Sequence, residues 1–237
     1  MKPILYFFIE NFPTLPELLL GGPIGILWAY GCLYAAGYLK KNNGWKTGYT
    51  RKVFHFLIFF TASLVHWLWG VPALCLFGGM VSLVILYALI RGDDNFLYES
   101  IAREKDSPHR THYIIIPYFA TLIGGLASNI WFGVFAIAGY LVTGLADAIA
   151  EPVGTRWGKH TYRVPSFRAI KATRSIEGSL AVLIAAFISI LLAAFFIPNI
   201  DITNQSLIKI FFISIICTIA EAISPHGWDN LAMQVIP

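Results

Sequence analysis

Apolar runs of 17 to 20 residues recur along this 237-residue chain, and the charges between them fall into a few short blocks. A run of that length, wound as a helix, crosses about 30 Å of hydrocarbon, where only helices and closed barrels satisfy their own backbone hydrogen bonds. A barrel would show alternating strands of about ten residues, which the unbroken runs argue against. Charged residues make up 13% of the chain, roughly half the share found in a soluble protein, and hydrophobic residues 57%. The expected fold is all-α, a polytopic membrane protein.

Seven spans can be drawn, over about 22–39, 53–69, 72–90, 113–127, 130–150, 178–197 and 206–222. Gly70, Pro72, Asn129 and Pro198 punctuate the turns, and the short links at 70–71 and 128–129 predict tight antiparallel hairpins. Gly124, Gly125, Gly133, Gly139 and Gly144 would let neighbouring helices approach closely, and Pro117 would kink the fourth span. Lys and Arg concentrate in three loops: five in 40–52, four in 91–112 and six in 151–177, or 15 of the 17 in the chain. With seven spans all three loops fall on one side. The positive-inside rule then places the amino end outside and the carboxyl end in the cytoplasm.

Residues 1–21 resemble a signal peptide only loosely, because Glu10, Pro13, Pro16 and Glu17 interrupt them, and they read as an amino-terminal interfacial or re-entrant segment. Residues 22–237 read as a single transmembrane catalytic domain, with no internal repeat or linker. Cys32, Cys75 and Cys217 each sit alone in an apolar run and read as small core residues.

The unusual polar groups gather on the cytoplasmic side. The stretch "YLVTGLADAIAEPVGTRWGKH" (140–160) ends an apolar run on Asp147, with Glu151 one turn later and a basic, glycine-containing loop after it. "TRKVFHF" (50–56) places Arg51 and His55 one turn apart, "TRSIEGSL" (173–180) opens the sixth span, and "EAISPHGWDN" (221–230) closes the seventh. A carboxylate at membrane depth is costly, about 2.5–3.5 kcal/mol for Asp at a helix centre. Asp147 and Glu221 are tolerated most easily facing a polar cavity, a partner or a metal; the plainer alternative is a helix-end carboxylate held by a neighbouring Arg. Carboxylates amid excess Lys and Arg suit a magnesium–nucleotide complex, because Mg²⁺ takes one or two protein carboxylates together with phosphate oxygens and cationic side chains neutralise the rest. "GTRWGK" is one residue short of a Walker A loop, has His160 where that loop has Ser or Thr, and follows no strand. Its glycines, Gly154 and Gly158, could still bring backbone N–H groups against phosphates.

The order "RKVFH", "ADAIAEPVGTRWGKH", "RSIEGSLA" and "EAISPHGWDNL" resembles the CTP-dependent lipid kinase family of dolichol kinase, phytol kinase and yeast-type diacylglycerol kinase, itself related to phosphatidate cytidylyltransferases. The resemblance covers about residues 50–231. Its motifs fall on Arg51, Lys52 and His55; on Asp147, Ala150, Gly154, Gly158 and Lys159; on Ser175, Glu177, Gly178 and Ser179; and on Glu221, Asp229 and Asn230. Ala146 stands where the family usually has Gly, and Arg174 where Lys is usual, which exchanges a point charge for a planar fork. Relatives also usually continue past Asp-Asn-Leu into another apolar helix, a difference that bears on lipid access or dimer contacts.

The resemblance implies transfer of the γ-phosphoryl group of CTP to the hydroxyl of an isoprenoid alcohol (phytol, polyprenol or dolichol type) or of diacylglycerol. The expected cofactor is Mg²⁺, held by Asp147 with Glu177 or Glu221 and with Glu151 as a further candidate ligand. Arg51, Lys52, Lys159 and Arg174 would neutralise the triphosphate, joined in nucleotide binding by His55, Gly154, Gly158, Ser175, Gly178, Ser179 and Asn230. Asp147, Glu221 and Asp229 form the expected catalytic set, with Asp229 or Glu221 orienting or deprotonating the lipid hydroxyl. The partners implied are CTP, a membrane lipid alcohol and the bilayer, with a homodimer as an option and no nucleic acid. The active face would be cytoplasmic, at the plasma membrane if the source is prokaryotic. The rival readings are a CDP-lipid-forming cytidylyltransferase, which lacks support from "WDNL" where Asp-Arg-x-x-Asp-Ser is expected, and a non-catalytic lipid or ion transporter, whose site would lie nearer mid-membrane between repeats.

Overall fold

Glycines decide where the apolar stretches turn. The computed structural model describes residues 2–166, 172–198, 200 and 202–237, with side chains from Ile4 onward; Arg168 and Lys171 of the third basic loop lie outside the described residues. The chain forms two compact units, Met1–Ser107 and Pro108–Pro237.

The first unit begins with α1 (Lys2–Glu10), followed by a π turn over Glu17–Gly21 that runs into α2 (Gly22–Asn43). Pro23 suits the first turn of α2, where its missing N–H costs nothing, and Gly44 ends the helix at φ 67°. α3 (Thr47–Arg91) is helical through 45 residues, which would be roughly 67 Å if straight. It is not straight. The Trp28 indole N–H donates to Thr61 Oγ1 at 3.0 Å, while Gly25, one turn earlier on α2, faces Phe77 and Met80. Thr61 and Met80 therefore flank the same part of α2, and α3 folds back between them at Gly70 (φ 74°, ψ −168°). That backbone region is nearly closed to residues with a Cβ. Gly70→Ala is expected to destabilise the protein by about 1–3 kcal/mol. Thermal unfolding in detergent checks this against Gly78→Ala, whose added methyl meets nothing within 4 Å.

Past Arg91 the chain returns to the end of α2. The Phe96 ring at the start of α4 (Phe96–Glu99) packs on Gly37, and Lys40 Nζ reaches the Glu99 carbonyl and Glu104 Oε1, both at 2.7 Å. Burial opposes the charge on Glu104, but the Lys40 ammonium and the Thr47 hydroxyl outweigh it and hold this carboxyl below its usual range. Arg103 and Asp106 form a buried pair at 2.8 Å in the same segment.

In the second unit α5 (His112–Phe132) carries Pro117 within it and ends at Gly133, φ 55°. The expected turn at 128–129 thus sits a few residues later. Asn129 stays helical because its amide donates to the Gly125 carbonyl one turn back, at 2.7 Å, and to the Tyr140 hydroxyl. Contact between Asn129 and Tyr140 across Gly133 is the second fold-back. α6 (Ala136–Leu141) then widens into a π turn over Val142–Asp147 and narrows again into α7 (Ala148–Trp157). Strands β1 (Thr161–Val164) and β2 (Ala172–Ser175) pair antiparallel, with Tyr162 opposite Arg174. They are followed by α8 (Ile176–Phe196), α9 (Asn204–Ile223) and α10 (Asp229–Val235).

Val142, Ala146, Val182, Ala186, Cys217 and Met233 are fully buried and form the centre of this unit. Along α8 the small residues Ala185, Ala186 and Ala193 face inward while Leu180, Ile184 and Ile188 are exposed. Small residues inside and large apolar ones outside is the pattern of helices packed in lipid. Five helical stretches are long and apolar enough to cross a membrane: Glu17–Asn43, Thr47–Arg91, His112–Trp157, Ile176–Phe196 and Asn204–Ile223. The protein is a multi-pass membrane protein, and the second and third of these stretches are the two that fold back on themselves.

Candidate active site

The π turn over Val142–Asp147 delivers the first acidic group. Such turns add a residue to a helical turn and re-aim the side chains that follow, often at functional positions. Asp147 ends this one and is 3% exposed. Glu221, also 3% exposed, comes from the last turn of α9, and Asp229 opens α10 after the tight passage through Gly227. One carboxylate oxygen from each of Asp147, Glu221 and Asp229 lies within 4.8 Å of the other two. Among the described residues this is the group of three that brings metal-ligating atoms together.

Arg174, carried by β2, grips this cluster. Its Nε pairs with Glu221 Oε1 at 2.8 Å and its Nη2 with Asp229 Oδ2 at 2.8 Å. Its Nη1 donates to the backbone carbonyls of Glu221 and Ser224, the latter at 3.1 Å. The planar fork of Arg fits this job, because one rigid group reaches two carboxylates and the end of α9 together. Burial works against the guanidinium charge, yet Asp229, Glu221 and Asp147 outweigh it and hold Arg174 above its ordinary pKa. Glu221 is therefore held by an arginine, the plainer of the two readings of that residue, and it also stands in the candidate metal group.

The neighbouring glycines have a packing role. Ser175 caps α8 by accepting from the Gly178 N–H at 3.0 Å. A Cβ on Gly154 would lie 2.9 Å from Ser175 Oγ, one on Gly158 would lie 2.8 Å from it, and one on Gly178 would lie 3.0 Å from the Ala150 carbonyl oxygen. The Gly158 N–H is bonded to the Gly154 carbonyl at 3.1 Å, so it closes the end of α7. The three glycines let α7 and α8 meet around a buried serine.

The other expected site residues divide. Ser179 Oγ bonds the Tyr162 hydroxyl at 2.7 Å, which ties the hairpin to α8. Glu177 pairs with His160 Nδ1 at 2.8 Å and stands outside the three-carboxylate group, as does Glu151, half-buried on α7. Lys159 is exposed after α7. Asn230 turns inward, its Nδ2 donating to Thr121 Oγ1 at 2.8 Å. Arg51, Lys52 and His55 lie on the opening turns of α3 in the first unit, where Lys52 is buried and the His55 ring packs at a tilt against Phe59, centroids 4.5 Å apart. Sequence reading missed Tyr162 and the Ser224 carbonyl as supports of Arg174. The pairing of Tyr162 with Arg174 across the hairpin has no signal in a lone sequence.

The donor set fits a hard divalent cation. Mg²⁺ prefers carboxylate oxygens at about 2.0–2.1 Å, so oxygens sharing one ion stand no more than about 4.2 Å apart. At least two of the three oxygen pairs would take neighbouring corners of the octahedron, about 3 Å apart, so the carboxylates would close up from within 4.8 Å to share an ion.

Over 114 residues, 48% of its length, the chain is 33% identical to a curated phytol kinase from Synechocystis sp., and it spans about half, 46%, of that protein. The likeness supports a relationship to lipid kinases. No protein-family model matches the chain, and no solved structure matches it.

Proposed function

We propose that this protein is an integral membrane lipid kinase that transfers the γ-phosphoryl group of CTP to the hydroxyl of a membrane lipid alcohol, of isoprenoid type (phytol, polyprenol or dolichol) or diacylglycerol. The observation that carries the reading is the convergence of Asp147, Glu221 and Asp229, from three different helical segments, on Arg174. The likeness to a phytol kinase adds to it, and cytidine preference is taken from the family resemblance of the motifs. On a reading of seven crossings, two of them from the fold-backs, the positive-inside rule would put the amino end outside and the basic loops and carboxyl end in the cytoplasm.

Asp147, Glu221 and Asp229 would hold Mg²⁺, which supplies charge neutralisation at the phosphate oxygens when bound. Phosphoryl transfer needs mainly alignment and stabilisation of spreading charge, so few protein groups suffice. Arg174 holds two of the carboxylates in place and faces the nucleotide with positive charge; exposed Lys159 adds a second cation. Asp229, the least buried of the three acids, orients the lipid hydroxyl and takes its proton. The lipid oxygen forms a bond to the γ-phosphorus as the bond to the β-phosphate oxygen breaks, and CDP leaves.

Purified protein incubated with labelled CTP or ATP and a panel of phytol, farnesol, polyprenol and diacylglycerol tests this. CDP and a lipid monophosphate are expected, with CTP preferred. Pyrophosphate with a CDP-lipid would assign the protein to the cytidylyltransferases, and no nucleotide turnover with any alcohol would overturn the kinase reading.

A further inference from the structure

α10 is seven residues long, too short to be stable alone, and it bears Asp229. Its position comes from a polar seam with α5 and a close approach to α6. Asn230 Nδ2 donates to Thr121 Oγ1 at 2.8 Å and to the Pro117 carbonyl at 3.4 Å. One turn deeper, Gln234 Nε2 donates to the Asn230 carbonyl at 2.8 Å and to the Thr121 carbonyl at 3.3 Å. Gln234 is 2% exposed. Glycines make the approach possible. A Cβ on Gly124 would lie 2.7 Å from Gln234 Nε2 and 3.0 Å from Leu231 Cα, and one on Gly139 would lie 2.9 Å from Gln234 Cα.

We infer that Gln234, seated against Gly124 and Gly139, is a positioning residue for the acidic group: it fixes the rotation and depth of α10, and through them the place of the Asp229 carboxylate beside Glu221 and Asp147. This rests on the reading of those acids as a divalent-cation site. The physical case is one of direction. A helix turns about 100° per residue, so a slip of one residue would carry Asp229 off Arg174. Apolar contacts alone resist such a slip weakly, because lipid-immersed helices gain little from burying apolar surface against one another. An amide that can bond only at one depth, between glycines that admit only one approach, resists it directly. Gln234 lies about five residues from Asp229 along α10 and acts through the helix.

The test uses full-length protein in detergent, with Mn²⁺ alone as the probe and binding read by electron paramagnetic resonance without nucleotide or lipid. Gln234→Leu, similar in size and unable to hydrogen-bond, is expected to weaken Mn²⁺ binding roughly tenfold or more, the usual cost of losing a group that orients a ligand. Gln234→Glu, neutral when protonated in hydrocarbon and still able to donate one bond, is expected to recover most of it. In turnover assays the half-saturating Mg²⁺ should rise for Gln234→Leu while KM for CTP changes little. If Gln234→Leu fails to fold, Gln234→Asn, shorter by one methylene, is read by the same titration. Equal Mn²⁺ affinity in wild type and variant, or no Mn²⁺ binding by the wild type, overturns the inference. A wild type that binds Mn²⁺ in this Gln234-dependent way but transfers no phosphoryl group leaves the inference standing and removes the kinase reading.

Discussion

Asp147→Asn is expected to lower phosphoryl transfer by about a thousandfold or more while leaving the protein folded. The side chain keeps its size and loses its charge at a position 3% exposed. Groups that stabilise transition-state charge in a dry site are commonly worth about a hundred- to a thousandfold each, and a carboxylate that holds the neutralising metal belongs at or beyond the upper end. The fold should tolerate the change, because Arg174 keeps both of its closest partners, Glu221 and Asp229, at 2.8 Å. Turnover measured in detergent beside a thermal unfolding curve decides the matter. An inactive protein with a native-like curve supports the catalytic role, whereas loss of folding would show that Asp147 is there for structure.

Arg174→Ala should have the opposite profile, with the largest effect on stability. Removing one partner of a buried ion pair leaves the other charge uncompensated, at a cost of about 3–5 kcal/mol. Here the remaining partners are Glu221, with a side chain 4% exposed, and Asp229, at 14%. Arg174→Lys keeps the charge but cannot reach both carboxylates and two carbonyls with a rigid fork, so it should lose less than the alanine variant. Adding Mg²⁺ should raise the unfolding temperature of Arg174→Ala more than that of the wild type, because a divalent ion replaces the missing positive charge. A wild-type curve for Arg174→Ala would refute the clasp. Solution pH offers little leverage. The folded-state pKa of Arg174 is raised above the ordinary arginine value, so its contribution is fully present below that ordinary value and is lost only at still higher pH.

Much of the architecture was legible because membrane helices obey few rules. Length and apolarity located the apolar stretches, and glycine at Gly70 located one fold-back. The second fold-back was misplaced because Asn129 looks like a turn residue in a sequence. Its amide finds a carbonyl one turn earlier and a tyrosine beyond Gly133, and that tertiary partner has no sequence signature. Asp147 and Glu221 stood out because carboxylates in apolar surroundings need a reason, whereas Asp229 was marked by the family resemblance alone. The roles of Gly154, Gly158 and Gly178 were harder to read. A glycine that receives a phosphate and one that makes room for Ser175 look alike until the neighbouring helix is in place. Asn230 could not be assigned for a related reason, since its direction depends on the rotation of α10 about its own axis. Ala146, where the family that the motifs resemble usually has Gly, is fully buried in the core of the second unit, so the extra methyl is accommodated by packing.

The Arg174 clasp also sets a timetable. During translation Asp147 emerges first, Arg174 next, and Glu221 and Asp229 last. The helix bearing Asp147 therefore leaves the ribosome ahead of this guanidinium, with apolar neighbours such as Val142 and Ala146 beside the acid until Arg174 follows. Glu221 arrives when its counter-ion has already been made. The order of synthesis thus leaves Asp147 as the acid of the cluster that waits for its counter-ion, and Glu221 and Asp229 as the two that meet it ready.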